Sequence, residues 1–123
     1  MTPKELYDRI GGDYEAAKRT MMTDAMISRF IVKLLDDKSY SRLMDAAATM
    51  DSVGLFEASH AMKGVYANLG LTNLSAAASE LTEEFRAGTE RTLSDEEVRG
   101  KLDEIKALQE RTMEKIAEFR DSQ

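Results

Sequence analysis

Several residue types that carry common chemistry are scarce or absent in this chain of 123 residues. Cysteine is absent, which excludes a disulfide scaffold, thiolate zinc sites and cysteine nucleophiles, and fits a reducing compartment. No apolar run approaches the roughly 20 residues that a membrane span requires. The N-terminus also lacks the apolar core of a signal peptide. These absences predict a cytoplasmic protein with no membrane partner.

The chain also has no excess of positive charge. The formal net charge is -6, and acidic and basic residues are interleaved, so no basic stripe is present to bind a nucleic-acid backbone. The chain contains no G-x-S-x-G elbow, no Walker loop and no G-x-G-x-x-G motif, which argues against a hydrolase or an ATP-dependent kinase. The balance of 33% charged and 42% hydrophobic residues predicts one folded domain over residues 1–123.

What is abundant favours helix: Ala, Leu, Met, Glu and Lys are frequent, and β-branched runs are missing. Potential N-caps predict five of the helix starts, at Thr2, Asp13, Thr23, Thr72 and Ser94. The predicted helices span about residues 3–10, 14–21, 24–36, 39–50, 52–69, 73–87 and 95–120. Their short connections predict an all-α fold, an antiparallel four-helix bundle with its core at about residues 24–120 and short additional N-terminal helices.

The single histidine, His60, lies in the fifth predicted helix. An apolar stripe in that helix is expected to face the core: Leu55, Ala58, Met62, Val65 and Leu69. At about 100° per residue, His60 projects roughly 175° from the centre of the stripe. A lone histidine is most often a satisfied core or surface side chain, but this position points away from the main apolar contact.

The face around His60 favours an anionic group on the imidazole. Gly64 costs about 1 kcal/mol relative to alanine in a helix interior, but it removes a side chain beside the imidazole and allows close approach. Lys63, three residues after His60, can bring positive charge near that group. Glu57 and His60 have the Glu-x-x-His spacing of di-iron bundles, but a second histidine is missing, so we expect no metal site.

The segment Ser59–Leu71 resembles the signature of histidine-containing phosphotransfer (HPt) domains. The family pattern is a histidine, two residues, Lys-Gly, and then Gly-Leu six residues after the first glycine. This chain has Lys63-Gly64 and Gly70-Leu71 at those positions. The resemblance extends weakly from about Leu6 to Arg86, and the segment after Ser94 resembles an added or extended final bundle helix.

The resemblance implies a phosphorelay intermediate in two-component signal transduction. By analogy, His60 is the phosphoacceptor, Lys63 stabilises the phosphoryl charge and Gly64 leaves room for the partner. Family members commonly place Gln or Glu 22 residues after the histidine to bond its ring. Here Thr82, with a shorter reach, occupies that position. Arg86 matches a basic position of some members.

The resemblance also predicts the partners. His60 would accept a phosphoryl group from a receiver-domain aspartyl-phosphate and pass it to another receiver. The expected partners are response-regulator receiver domains and a (hybrid) histidine kinase. Phe56, Glu57, Gly64 and Ala67 surround His60 and are the expected docking positions. The chain itself is expected to be a monomeric phosphocarrier without a bound cofactor, the divalent metal being held by the receiver. Two alternatives stay open: a non-phosphorylated adaptor or inhibitor that docks a receiver or kinase, and a purely structural helical domain.

Overall fold

The chain folds into seven α-helices and one 3₁₀ turn in the computed structural model, which describes all of residues 1–123. The helices are α1 (Pro3–Ile10), α2 (Tyr14–Met21), α3 (Asp24–Lys33), α4 (Ser39–Ala48), α5 (Ser52–Asn68), α6 (Thr72–Glu84) and α7 (Asp95–Asp121), and the 3₁₀ turn spans Leu34–Asp36. There is no strand, so the predicted all-α class is confirmed.

Side-chain caps begin four of the helices at the predicted residues. Asp13 accepts from the amide of Ala16 at 3.0 Å, and Thr23 accepts from the amide of Met26 at 3.1 Å. Thr2 and Ser94 each form a reciprocal capping box with the glutamate three residues later. Each cap satisfies an amide that has no partner inside its helix, which explains why these short signals set the helix starts.

Other helix boundaries differ from the prediction. Thr72 does not cap α6 but is its first residue, because the chain turns sharply at Gly70 and leaves only Leu71 before the helix. The α-helical part of α3 ends at Lys33 and continues as the 3₁₀ turn. Helix α4 ends at Ala48 rather than near residue 50, where the backbone of Met50 is left-handed (φ 51°). Helix α6 ends at Glu84 rather than near residue 87.

Four helices, α4 to α7, form the bundle, and the histidine-bearing helix α5 is one of them. Helix α5 packs between α4 and α6, and both of these neighbours also contact α7. Helices α1 and α3 pack against α7, whereas α2 packs against α3 and α5. The 23 buried apolar side chains form one cluster that runs from Leu6 in α1 to Phe119 in α7. The N-terminal helices therefore contribute to the same core as the bundle.

The N-terminal helices also fix the end of α5. The buried Tyr7 hydroxyl donates to the carbonyl of Leu69 at 2.5 Å, and the amide of Asp13 donates to the carbonyl of Gly70 at 2.7 Å. Gly70 has a left-handed backbone (φ 70°), and an added Cβ there would collide with the backbone of Asp13. Glycine is needed at this turn for both reasons. The result is a rigid support for the helix that carries His60.

Candidate functional site

Helix α5 buries one face in the bundle and leaves the face with His60 exposed, as the periodicity predicts. Leu55, Ala58, Met62 and Leu69 are buried, whereas Val65 is only half-buried. Two residues outside the predicted stripe are also fully buried, Ser59 and Tyr66. The Tyr66 hydroxyl donates to Oε1 of Gln109 in α7 at 2.8 Å, so the contact face of α5 includes a polar pair that apolar spacing does not indicate.

The imidazole of His60 is exposed and lies beside one aromatic ring. The rings of Phe56 and His60 are nearly parallel, with an interplanar angle of 8° and centroids 5.7 Å apart. This is within the range of offset-stacked aromatic pairs. Phe56 is half-buried and packs against the core cluster, so one part of its ring is anchored while another faces the imidazole.

Lys63 and Gly64 lie one turn after His60 on the same side of α5. Lys63 is half-buried, and its backbone carbonyl accepts a hydrogen bond from the Ser75 hydroxyl of α6 at 3.1 Å. Gly64 is exposed, and a Cβ added to it would meet no atom within 4 Å. Packing against a neighbouring helix therefore does not account for glycine at position 64.

Thr82 lies in the interface between α5 and α6. Its side chain is fully buried, and its hydroxyl is 2.9 Å from the carbonyl of Ala78 and 3.1 Å from the hydroxyl of Ser59. No hydrogen bond of the structure joins Thr82 to His60. The hydroxyl is already used within the helix pair, so Thr82 contributes to the packing of α5 against α6.

Arg86 and Glu83 extend the site onto α6. The Arg86 guanidinium donates to both carboxylate oxygens of Glu83, at 2.9 and 3.1 Å, and lies over the Phe56 ring, 5.5 Å from its centroid. The guanidinium holds the pKa of Glu83 below its usual range, and the nearby Lys63 and His60 act in the same direction. Glu83 was not predicted as a site residue, although its i, i+3 spacing to Arg86 indicates the ion pair.

The remaining expected docking positions are open to a partner. Glu57 and Ala67 are both exposed on α5, on either side of His60. Glu57 also lines a groove between α4 and α5, together with Arg42 and Asp45 of α4. The structure contains no group of three or more His, Cys, Asp or Glu side chains that could hold a metal ion. Glu57, Gly64 and Ala67 are therefore exposed positions around one imidazole.

Comparison with protein-family models shows which family the chain belongs to. The Hpt domain model matches residues 26–116, which is most of the chain. The chain belongs to the Hpt domain family. Comparisons with curated proteins and with solved structures gave no significant match.

The family match covers the helices of the bundle. It starts at Met26, inside α3, and runs through most of α7. Helices α1 and α2 lie outside the matched residues even though Leu6, Tyr7 and Ala17 are in the shared core.

Membership defines the general role of the chain. Hpt domains are phosphocarriers, not kinases, and they act in phosphorelays of two-component signalling together with receiver domains and histidine kinases.

None of the seven helices is both long enough and apolar enough to span a membrane.

Proposed function

We propose that His60 accepts a phosphoryl group from the aspartyl-phosphate of a receiver domain and passes it to the aspartate of a second receiver. The observation that carries this proposal is the exposed imidazole at the histidine position of the Hpt signature, with Lys63 and Gly64 one turn away. His60 is also the only histidine in the chain, so a phosphohistidine can form at no other residue.

The transfer requires few groups from this chain. The lone pair of His60 Nε2 forms the bond to phosphorus in line with the leaving group, and the bond between phosphorus and the aspartate oxygen breaks. The electron pair of that bond leaves with the receiver carboxylate, and the proton stays on Nδ1. The reverse reaction delivers the phosphoryl group to the second receiver. The receiver's divalent metal would neutralise most of the charge on the phosphoryl oxygens, so this chain needs no metal of its own.

Lys63 and Gly64 have separate roles in the proposed transfer. Lys63 would stabilise the phosphoryl charge through its ammonium group, because it lies on the same side of α5 one turn from the imidazole. Gly64 would let the receiver surface come close enough for in-line attack. Support for the access role comes from the empty space around its Cα, where an added side chain would extend outward and not into the bundle. Phe56, Glu57 and Ala67 would complete the docking surface.

The test is phosphoryl transfer from a receiver that carries a radioactive aspartyl-phosphate. The protein should acquire an acid-labile, base-stable label, whereas His60→Gln should keep the same helical content and acquire none. A label that persists in His60→Gln would refute the assignment of the acceptor. Binding of the receiver without any transfer would support the adaptor alternative instead.

A further inference from the structure

The His60 imidazole has no hydrogen-bonding residue of this chain to orient it. Thr82, at the position from which family members bond the ring, is fully buried, and its hydroxyl contacts Ala78 and Ser59. An exposed imidazole with no partner can rotate about its side-chain bonds between staggered conformers. In-line phosphoryl transfer, however, needs one orientation of the Nε2 lone pair, and misplacement by about 1 Å can cost on the order of 100-fold in rate.

A stack of side chains lies beside the imidazole. Phe56, one turn before His60, holds its ring nearly parallel to the imidazole, at 8° and 5.7 Å. Phe56 is itself fixed from two directions. Part of its side chain packs against the hydrophobic core, and the Arg86 guanidinium lies 5.5 Å from the centre of its ring.

Arg86, the third member of the stack after His60 and Phe56, is held in turn by Glu83. Glu83 receives two hydrogen bonds from Arg86, at 2.9 and 3.1 Å, which is the bidentate geometry that restricts a guanidinium most strongly. Glu83 is on α6 and Arg86 follows its last turn, whereas Phe56 and His60 are both on α5. The stack therefore ties the orientation of the imidazole to the packing of the two helices.

We propose that Phe56 is a positioning residue for the His60 imidazole, and that Arg86, held by Glu83, keeps Phe56 in place. The catalytic consequence rests on the proposed role of His60 as the phosphoacceptor. The stack itself is a property of the free protein. In this chain, aromatic stacking performs the function that a hydrogen bond from the next helix performs in family members with Gln or Glu.

Kinetics with two phosphodonors separate positioning from docking. Phe56→Leu should lower kcat for transfer from a receiver by roughly 2- to 10-fold, the range expected for loss of an aromatic pair, in addition to any rise in KM from the altered docking surface. It should slow phosphorylation by phosphoramidate by a similar factor, because that small donor needs an oriented imidazole but no docking surface. Phe56→Tyr keeps the ring face and should restore both rates. Arg86→Gln should have a smaller effect in the same direction.

A matched control is available in α3. Phe30 is also half-buried and has a cation, Lys33, 5.2 Å from its ring centre, but it does not stack on the imidazole. Phe30→Leu should leave the phosphoramidate rate unchanged. A rise in KM for Phe56→Leu with an unchanged phosphoramidate rate would assign Phe56 to docking and overturn the positioning role. Unchanged kinetics with both donors would overturn it as well.

Proton NMR tests the stack without any phosphoryl transfer. The single imidazole gives unambiguous ring-proton resonances, so nuclear Overhauser contacts between the rings of His60 and Phe56 should be visible in the free protein. The His60 resonances should shift in Phe56→Leu and return close to their original positions in Phe56→Tyr. Absence of these contacts would overturn the inference even if His60 is the phosphoacceptor. Their presence in a protein that takes no phosphoryl group would instead refute the proposed function.

Discussion

Replacement of Gly64 should make the protein more stable and less active. Position 64 is within α5, it is exposed, and an added Cβ meets no atom within 4 Å. Nothing in the fold therefore opposes a side chain there. Gly64→Ala and Gly64→Gln should each raise the free energy of unfolding by roughly 0.5–1 kcal/mol, through better helix propensity and a less flexible unfolded chain. For a domain of this size, that corresponds to an increase in Tm of roughly 2–5 °C.

Phosphoryl transfer should respond in the opposite direction. In Gly64→Gln the new side chain would stand between the receiver surface and the imidazole, so transfer from a phosphorylated receiver should fall on the order of 100-fold. Phosphorylation by phosphoramidate should fall much less, because the obstruction acts on a protein surface and not on a small molecule. Gly64→Ala should be intermediate. Thermal melts by circular dichroism and transfer time courses measure the two effects on the same samples.

Gly100 provides the matched control for Gly64. It lies in α7, it is exposed, and an added Cβ would also meet no atom within 4 Å. Gly100→Gln should give a similar gain in Tm with no change in transfer. The reasoning about access would be refuted if Gly64→Gln lowered Tm together with transfer, or if it raised Tm and left receiver transfer intact.

Three further substitutions test individual contacts. Lys63→Ala should slow transfer from the receiver while the free energy of unfolding changes by no more than about 0.5 kcal/mol, and an unchanged rate would remove Lys63 from the site. Thr82→Val should destabilise the protein by about 1 kcal/mol because a buried hydroxyl pair is lost, and it should leave the phosphoramidate rate intact; a large loss of rate would mean that Thr82 orients the imidazole. Glu84→Gln should destabilise the protein at neutral pH by about 1–2 kcal/mol, as judged by urea melts, because the Glu84 carboxylate accepts hydrogen bonds from the amides of Leu93 and Thr92 at 2.8 Å. These bonds, with those of the Thr92 hydroxyl and the nearby Arg91, lower the folded-state pKa of Glu84 from its ordinary 4.5. The stabilisation is therefore present above that value and is lost as the pH falls through the lower folded-state pKa. The difference in free energy of unfolding between the two proteins should therefore shrink in acid, and a difference that did not shrink as the pH was lowered would contradict this origin.

The features that could be predicted from the sequence are those that depend on a few consecutive residues. Thr2, Asp13, Thr23 and Ser94 cap helices because each side chain bonds an amide only three residues away. The outward direction of His60 follows in the same way from the helical repeat of its neighbours. Local rules of this kind hold before any tertiary contact forms.

The environment of the imidazole could not be predicted in this way, because it depends on how two helices are rotated against each other. The rotation of α6 buries Thr82 against Ser59 and brings Arg86 over Phe56. The spacing of 22 residues between His60 and position 82 identifies the facing turn of α6 but not which of its side chains reaches across. The burial of Tyr66 was missed for a similar reason, since its partner Gln109 is 43 residues away in the chain.

The segment that matches the family is shorter than the segment that contributes to the hydrophobic core. The N-terminal helices, which contact the end of α5, lie outside the match. A fragment cut to the family match, residues 26–116, would contain every residue of the proposed site. It would also lose three large side chains that are fully buried in the whole chain, Leu6, Tyr7 and Phe119, together with the smaller Ala17. At about 1.5–3 kcal/mol for each large side chain, that loss is comparable with the whole stability of an ordinary domain. A synthetic relay that uses this phosphotransfer domain should therefore contain residues 1–123, because residues outside the family match complete its hydrophobic core.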